Sequence, residues 1–315
     1  MMDQQGVQEL FHSLDKFSWQ EEIRKKEPLA NKTSVRVGGP ADLFLTVHDL
    51  DELTRLFEII REHQCPWFVL GKGSNLLIQD EGFPGIVIRL AGDFSQVAQV
   101  SSRQLVVGAG IANIQASRIA KKNNLSGMEF LTTIPGTMGG AAFMNAGAHG
   151  QEMKDIVEWV EFFSETGEVE TIRAEYLDFS YRHSRFMQTP GIILKLGLQL
   201  QVDHSEAIGK REKEFIMRRK GSQPLDARTW GSVFVNPPGD SSGRLIESCG
   251  LKGKGIGQAR ISPKHANFIE NVGGATFQDL LKTVEYAQKE VYRVYGIHLK
   301  MEGRIIPELT SKQGK

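Results

Sequence analysis

Apolar residues recur at Leu50, Leu53, Phe57 and Ile60 in DLDELTRLFEIIREH (49–63), the three-to-four-residue spacing of a helix with one buried face. Asp49 stands ahead of that run as an N-cap, with Glu52 three residues on, a pairing that satisfies the first free N–H groups of a helix. Next come PWFVL (66–70), a glycine turn and NLLI (75–78), two short strand-like runs that complete a predicted α/β unit. Further strand-like runs at 97–108, 156–163, 168–172 and 191–201 surround one helical stretch, IANIQASRIAKKNN (111–124), and predict an α+β lobe. EAIGKREKEFIMRRKG (206–221) reads as a charged helix opening a third lobe. In TFQDLLKTVEYAQKEVYRVYG (276–296), Phe277, Leu280, Leu281, Val284 and Val291 share one helical face and Gly296 ends it. There is no internal repeat, and the tail TSKQGK is expected to fray.

At 315 residues the chain is long enough for several lobes, each with its own core. Lys+Arg and Asp+Glu balance at 38 each, so no global field favours nucleic acid or anionic lipid, and an anionic ligand has to be held by local groups. The cysteines, Cys65 and Cys249, form no CxxC pair, which argues against a disulfide framework and for a reducing, cytoplasmic setting. The first twenty residues lack the basic end and apolar core of a signal peptide, and no later apolar run reaches about 18 residues, so no membrane segment is expected. Eight scattered histidines without an HExxH-like cluster predict no metal.

Glycine changes the picture most: 33 residues, about a tenth of the chain against a usual ~7%. GKGSN (71–75) follows a strand and offers clustered backbone N–H groups to phosphate oxygens, although its context fits neither a Rossmann turn nor a P-loop, and a plain turn is the bland alternative. IPGTMGGAAFMNAGAHG (134–150) is made largely of glycine and alanine, small enough for backbone to lie against a ligand, with Thr133, Thr137 and Asn145 as hydrogen-bonding side chains. The competing reading is a tight helix crossing through small residues. Two such loops in two lobes suit a dinucleotide.

Seven segments in order carry a resemblance: NKTSVRVGGPAD, VLGKGSNLLIQD, GMEFLTTIPGTMGGAAFMNAGAHG, FSYRHSRF, GSVFVNP, SGRLIESCGLKGKGIGQARISPKHANFIEN and MEGRIIPE. Together they cover residues 31 to 308 and resemble the UDP-N-acetylenolpyruvoylglucosamine reductases, flavoenzymes of peptidoglycan synthesis, in the shorter, second type of that family. The resemblance implies an α+β fold of the FAD-binding vanillyl-alcohol-oxidase/PCMH type. Its expected parts are an FAD-binding lobe at 1–90, to which strand 302–315 returns, a second FAD-binding lobe at 91–204, and a substrate-binding domain at 205–301. It also implies NADPH as co-substrate, UDP-N-acetylglucosamine enolpyruvate as substrate and a monomer. FAD contacts are implied for Gly71, Lys72, Gly73, Ser74, Asn75, Thr133, Ile134, Pro135, Gly136, Gly139, Gly140, Asn145 and Gly147.

The family's substrate is an enolpyruvyl ether. Hydride addition at its terminal carbon puts negative charge on the carbon beside the carboxylate, and that enolate must be stabilised and protonated. By resemblance Ser232 is the proton donor, Arg182 faces the carboxylate, and Glu302 lies near the same group, where a raised pKa is expected. Tyr181, Arg218, Asn236 and His265 fall at substrate-contacting positions, with Arg219 and Lys220 adding charge. Alone, Ser232 reads as a turn hydroxyl, Arg182 as a strand-end surface residue, Glu302 as an exposed acid and RRK as a solvated helix face. Three departures from the family pattern touch the site: Val235 where relatives carry a cation, Ser222 where some carry lysine, and Gly303 where a β-branched residue is usual, which is expected to loosen the backbone at Glu302. The alternatives are another flavin oxidase of the same fold or a flavin- or nucleotide-binding protein without turnover.

Overall fold

A computed structural model of the chain describes residues 4–308; the tail TSKQGK lies outside them. Among the described residues are seven α-helices: α1 (Gln4–Asp15), α2 (Leu50–His63), α3 (Asn113–Lys122), α4 (Met138–Phe143), α5 (Ser205–Ser222), α6 (Ser242–Ser248) and α7 (Phe277–Tyr295). The chain divides into two compact units rather than three consecutive lobes: residues up to 25, 43–72 and 84–219 form the first, and 26–42, 73–83 and 220 onward the second.

In the first unit, α2 starts where Asp49 accepts the Glu52 N–H at 2.8 Å and ends at Gln64, in the left-handed conformation. Leu53, Leu56, Phe57, Ile59 and Ile60 are buried, whereas Leu50, at the helix start, is 43% exposed. The unit holds residues 43–47, 84–90 and 67–69 of one sheet, adjacent in that order, the last two being parallel. A five-stranded antiparallel sheet runs Val169–Arg173, Val157–Ser164, Gly191–Gln199, Gln104–Gly108, Val97–Gln99. The apolar run at 97–108 is thus a hairpin, with residues 100–103 forming the turn between its two strands. One core of aliphatic and aromatic side chains, from Leu10 to Leu200, fills this unit.

Helix α5 departs from the expected partition. Its residues through Arg219 belong to the first unit, and polar contacts hold them there. Glu212, 5% exposed, pairs with Lys121 and accepts from Ser117 at 3.3 Å; Arg211 bridges Glu129 and Asp203 at 2.7 and 2.6 Å. A helix without a broad apolar stripe needs such fixed partners to pack at all.

In the second unit the four-stranded antiparallel sheet is ordered Thr229–Ser232, Phe268–Asn271, Ala259–Ile261, Gly255–Ile256. Helix α7 begins with a reciprocal Thr276–Asp279 capping box, ends at Gly296 with φ +67°, and packs Phe277, Leu280, Val284, Ala287 and Val291 into a separate core around Trp230. Within this unit Arg304–Ile306 pairs in parallel with Leu76–Ile78; residues 309–315 of the expected strand lie outside the described residues. The strand that opens at Thr229 is short. It ends at Ser232, and only an isolated bridge, Phe234 with Met301, continues the pairing.

Lys121→Met leaves the Glu212 carboxylate buried without its cation, a loss of about 1–3 kcal/mol of stability. The double variant Lys121→Met/Glu212→Leu is expected to recover most of it, and urea unfolding of both measures the difference.

Candidate active site

In the first unit the chain leaves Val69 into Leu70, whose N–H donates to the Ile88 carbonyl at 2.8 Å, and turns at Gly71. A Cβ on Gly71 would lie 2.8 Å from Thr137 Oγ1, so one glycine segment comes to rest on the other, and only glycine allows that approach. Thr137 in turn caps α4, accepting the Gly140 N–H at 3.4 Å. The close-packed-helix reading of the small-residue segment holds locally. Met138 to Phe143 is a helix packed so closely that a Cβ on Gly139 would be 2.8 Å from Ala109 Cβ, while Pro135 and Gly140 stay exposed.

The approach to α4 is pinned by backbone pairing and by Asn113. The Met138 and Gly139 N–H groups donate to Ile111 and Ala109, and Asn113 donates from its N–H to the Gly136 carbonyl at 3.1 Å and from Nδ2 to the Ile134 carbonyl at 3.0 Å. Asn113 is 1% exposed and its Oδ1 has no partner. Nothing in IANIQ distinguished this asparagine from any other polar residue at a helix start.

Past α4, four non-glycine residues sit in the left-handed region: Asn145 (φ +41°), His149 (φ +57°), Asp178 (φ +49°) and Arg182 (φ +57°). Such conformations cost about 1–3 kcal/mol each and persist where surrounding contacts over-determine them. Here Asn145 is fully buried; its Nδ2 donates to the Ser180 carbonyl and to Glu152, both at 2.9 Å, and its Oδ1 accepts from the Lys154 N–H. The expectation that this side chain hydrogen-bonds a ligand is therefore corrected: its groups are spent inside the fold, and it shapes the loop. Thr133 is similarly engaged, donating to the Phe130 carbonyl and meeting His149 Nε2 at 3.2 Å. Ser180 and His183 pair across a tight turn that presents Tyr181 and Arg182. The Arg182 guanidinium lies 4.9 Å above the Tyr181 ring and donates to the Gly147 carbonyl at 3.1 Å. His149 stacks on Phe215 of α5 with centroids 4.2 Å apart, one helical turn from exposed Arg218.

The second unit holds Gly73, Ser74 and Asn75 together with Ser232 and Glu302. Gly73, at φ +62°, closes on the Lys32 carbonyl, 2.2 Å from where its Cβ would be. Asn75 joins the C-terminal segment twice: its Nδ2 donates to the Glu302 carbonyl at 3.2 Å and its carbonyl accepts the Arg304 N–H at 2.9 Å. The Glu302 N–H donates to the Val233 carbonyl at 2.8 Å, next to Ser232. A bulge positions Ser232, because Thr229 pairs with Glu270 but Ser232 with Phe268, and Gly231 between them takes φ +64°. Asn267 braces the following residues, donating to and accepting from the Phe234 backbone at 2.8 and 2.9 Å while its carbonyl accepts the Val233 N–H. Asn236 and His265 both border the start of α6. Asn236 Oδ1 accepts the Ser242 N–H at 3.0 Å, and a Cβ on Gly243 would meet the His265 ring at 3.1 Å. Exposed Lys72 is assigned to the first unit. The expected loosening at Gly303 is not what the structure shows: the residue is buried under the Trp230 indole, 2.6 Å from its would-be Cβ.

Residues 41–173 match the family model of an FAD binding domain, and 223–306 that of the UDP-N-acetylenolpyruvoylglucosamine reductase C-terminal domain. The chain is 42% identical over 283 residues to the UDP-N-acetylenolpyruvoylglucosamine reductase of Heliobacterium modesticaldum, covering 90% of each chain. It is 38% identical over 285 residues to that of Bacillus subtilis, covering 90% of this chain and 94% of the relative. The crystal structure of the Thermus caldophilus reductase superposes with a TM-score of 0.78 at 40% identity, over 91% of this chain and 98% of that one. With both parts of the chain matched and the similarity running almost end to end, this protein belongs to the UDP-N-acetylenolpyruvoylglucosamine reductase family.

Proposed function

We propose that the chain reduces UDP-N-acetylglucosamine enolpyruvate to UDP-N-acetylmuramate for peptidoglycan synthesis, with FAD as cofactor and NADPH as reductant, acting in the cytoplasm where both soluble nucleotides are found. The observation that carries this reading is the single hydrogen-bonded cluster of Asn75, Glu302 and the backbone beside Ser232. It ties the glycine loop to the acid and the hydroxyl that the chemistry needs.

The glycine segments fit a dinucleotide. Gly71, Gly73 and Gly139 each stand where any Cβ would collide with protein, so the two segments fold into tight turns whose clustered backbone suits a phosphate, the Gly139 N–H itself being bonded to Ala109. Gly71 to Asn75, and Thr133 to Gly140 with Gly147, would hold the FAD, Thr133 and Ile134 through backbone. Reduced by NADPH, bound FAD supplies hydride for the terminal carbon of the enolpyruvyl group.

What the chain's own residues add is charge control and a proton. Arg182, oriented by its bond to Gly147, offers a planar guanidinium to the substrate carboxylate as negative charge spreads into it. Ser232 Oγ gives its proton to the carbon beside that carboxylate; a hydroxyl is a weak acid, and short range against a strongly basic enolate makes the transfer feasible. Glu302 is held beside it through backbone contacts on both faces. Tyr181, Arg218, Asn236 and His265 would contact the rest of the nucleotide sugar. Burial lowers the Arg219 guanidinium from its ordinary value, and burial also lowers His265.

His149 is kept neutral by burial and then by the positive charges of Arg218 and Arg219, which together lower its pKa from the ordinary 6.5. The unfolded chain therefore takes up a proton first as pH falls. Stability from this group is complete above about pH 6.5 and is lost as pH drops through the lower, folded pKa.

The purified protein is expected to bind FAD, to bleach with NADPH, and to regain its yellow colour when the enolpyruvyl sugar nucleotide is added. Bleaching with no substrate-dependent recovery rules the reductase reading out. Ser232→Ala should reduce its flavin at a near-normal rate and slow substrate-dependent reoxidation by about 10²–10⁴-fold; equal losses in both half-reactions would make the residue structural. His149→Gln, which keeps a hydrogen-bonding group near Thr133, should flatten the fall in melting temperature between pH 7.5 and 5.5. An unchanged pH slope would mean that His149 is not the group responsible.

A further inference from the structure

Trp230 is fully buried, and its indole occupies the space above Gly303 so completely that a Cβ there would lie 2.6, 2.7 and 2.8 Å from Cε2, Cζ2 and Nε1. Gly303 is not among the residues with positive φ, so its backbone conformation is open to other amino acids. The demand for glycine is one of volume alone. The indole Nε1 is buried with no hydrogen-bond partner, so no polar contact holds the ring in place, and an apolar side chain would avoid that cost. Its bulk is what the site uses.

The contact adjoins, along the chain, both the proposed proton donor and Glu302. Trp230 precedes Ser232 across the Gly231 bulge, and Gly303 follows Glu302 directly. The Glu302 and Gly303 N–H groups both reach the Val233 carbonyl, at 2.8 and 3.4 Å, and the Val235 N–H donates to the Lys300 carbonyl at 2.9 Å. These bonds align the two segments and hold their backbones at hydrogen-bonding distance, and at the Ser232 end the ring against Gly303 adds a side-chain limit on how closely they pack. Ser74 lies on the other side of the bulge, its carbonyl 3.0 Å from where a Gly231 Cβ would be.

We propose that Trp230 and Gly303 are a size-matched pair of positioning residues that fixes the spacing between the segment carrying Ser232 and the segment carrying Glu302. This rests on the reading of Ser232 as the proton donor with Glu302 held beside it. A larger residue at 303 pushes the segments apart, a smaller one at 230 lets them collapse, and exchanging both sizes together restores the gap. Displacements of about 1 Å at a reacting centre can cost as much as 10²-fold in rate.

The test uses the full-length FAD-loaded protein and follows the two half-reactions separately by flavin absorbance. Gly303→Val is expected to retain FAD and NADPH-driven bleaching while slowing substrate-dependent reoxidation by about 10- to 100-fold. Trp230→Ala should slow the same step, and Trp230→Ala/Gly303→Val should return to within a few-fold of the unsubstituted chain. Where either large change prevents folding, Gly303→Ala with Trp230→Leu supplies a milder version of the same exchange. Single variants that lose melting temperature but reoxidise at the original rate overturn the proposal, as does a double variant no faster than the worse single one. Ser232→Ala measured alongside separates the two ideas. If it reoxidises normally, the proton-donor reading itself has failed and the pair proposal with it; if it is slow while Gly303→Val is fast, only the pair proposal has failed.

Discussion

Within the second unit, the geometry at the site depends on one extended segment, residues 300–306, hydrogen-bonded on both sides. Toward Val233 and Val235 it pairs with the chain that follows Ser232; toward Asn75 and Leu76–Ile78 it pairs with the end of the glycine loop. A strand with both edges occupied cannot slide in register without breaking bonds on each edge, and a one-residue slip would turn Glu302 to the opposite face. A glutamate near the chain end thus acquires a position as well defined as that of a core residue. The bulge at Gly231 serves the same geometry from the other side, rotating Ser232 out of simple alternation.

In the first unit, closeness of backbone does comparable work. Gly71 against Thr137, and Gly139 against Ala109, are contacts that a single methyl group would forbid. Asn113 adds two hydrogen bonds to the carbonyls at Ile134 and Gly136 and leaves its own Oδ1 unsatisfied to do so. The left-handed conformations at Asn145 and Arg182 are held by bonds between the 145–154 and 180–183 segments, and that at His149 by contacts with Thr133 and Phe215. Strain and an orphaned polar atom in one neighbourhood are costs accepted where a loop must hold one shape.

The polar helix α5 shows the same logic at larger scale. Its attachment by Glu212, Arg211 and Phe215 fixes the first unit's face of a helix that ends in RRK. Ion pairs specify direction more sharply than apolar contacts do, and the helix position governs where Arg218 and Arg219 stand relative to His149.

Local pattern determined α2, α3 and α7 through periodicity, α5 through its charged composition, and the Asp49 cap and the Gly296 stop through residue type, because each follows from neighbours within one or two helical turns. The two glycine segments were equally plain from composition, and ordered motifs identified the family and its FAD. Helix α1 and the strand Phe83–Leu90, which opens with a proline at its second position, were not singled out. The partition into two units also lay beyond local reading, since residues 26–42 and 73–83 join a core built after residue 220. The same limit applied to single residues. Gly303 read as a loosened backbone until Trp230, some seventy positions earlier, was seen to fill its missing side chain, and Asn145 read as a ligand contact until its partners were counted. Local pattern carries what the backbone must do for itself. Which side chain fills which space is decided by residues far apart in the chain, and only tertiary structure brings them together.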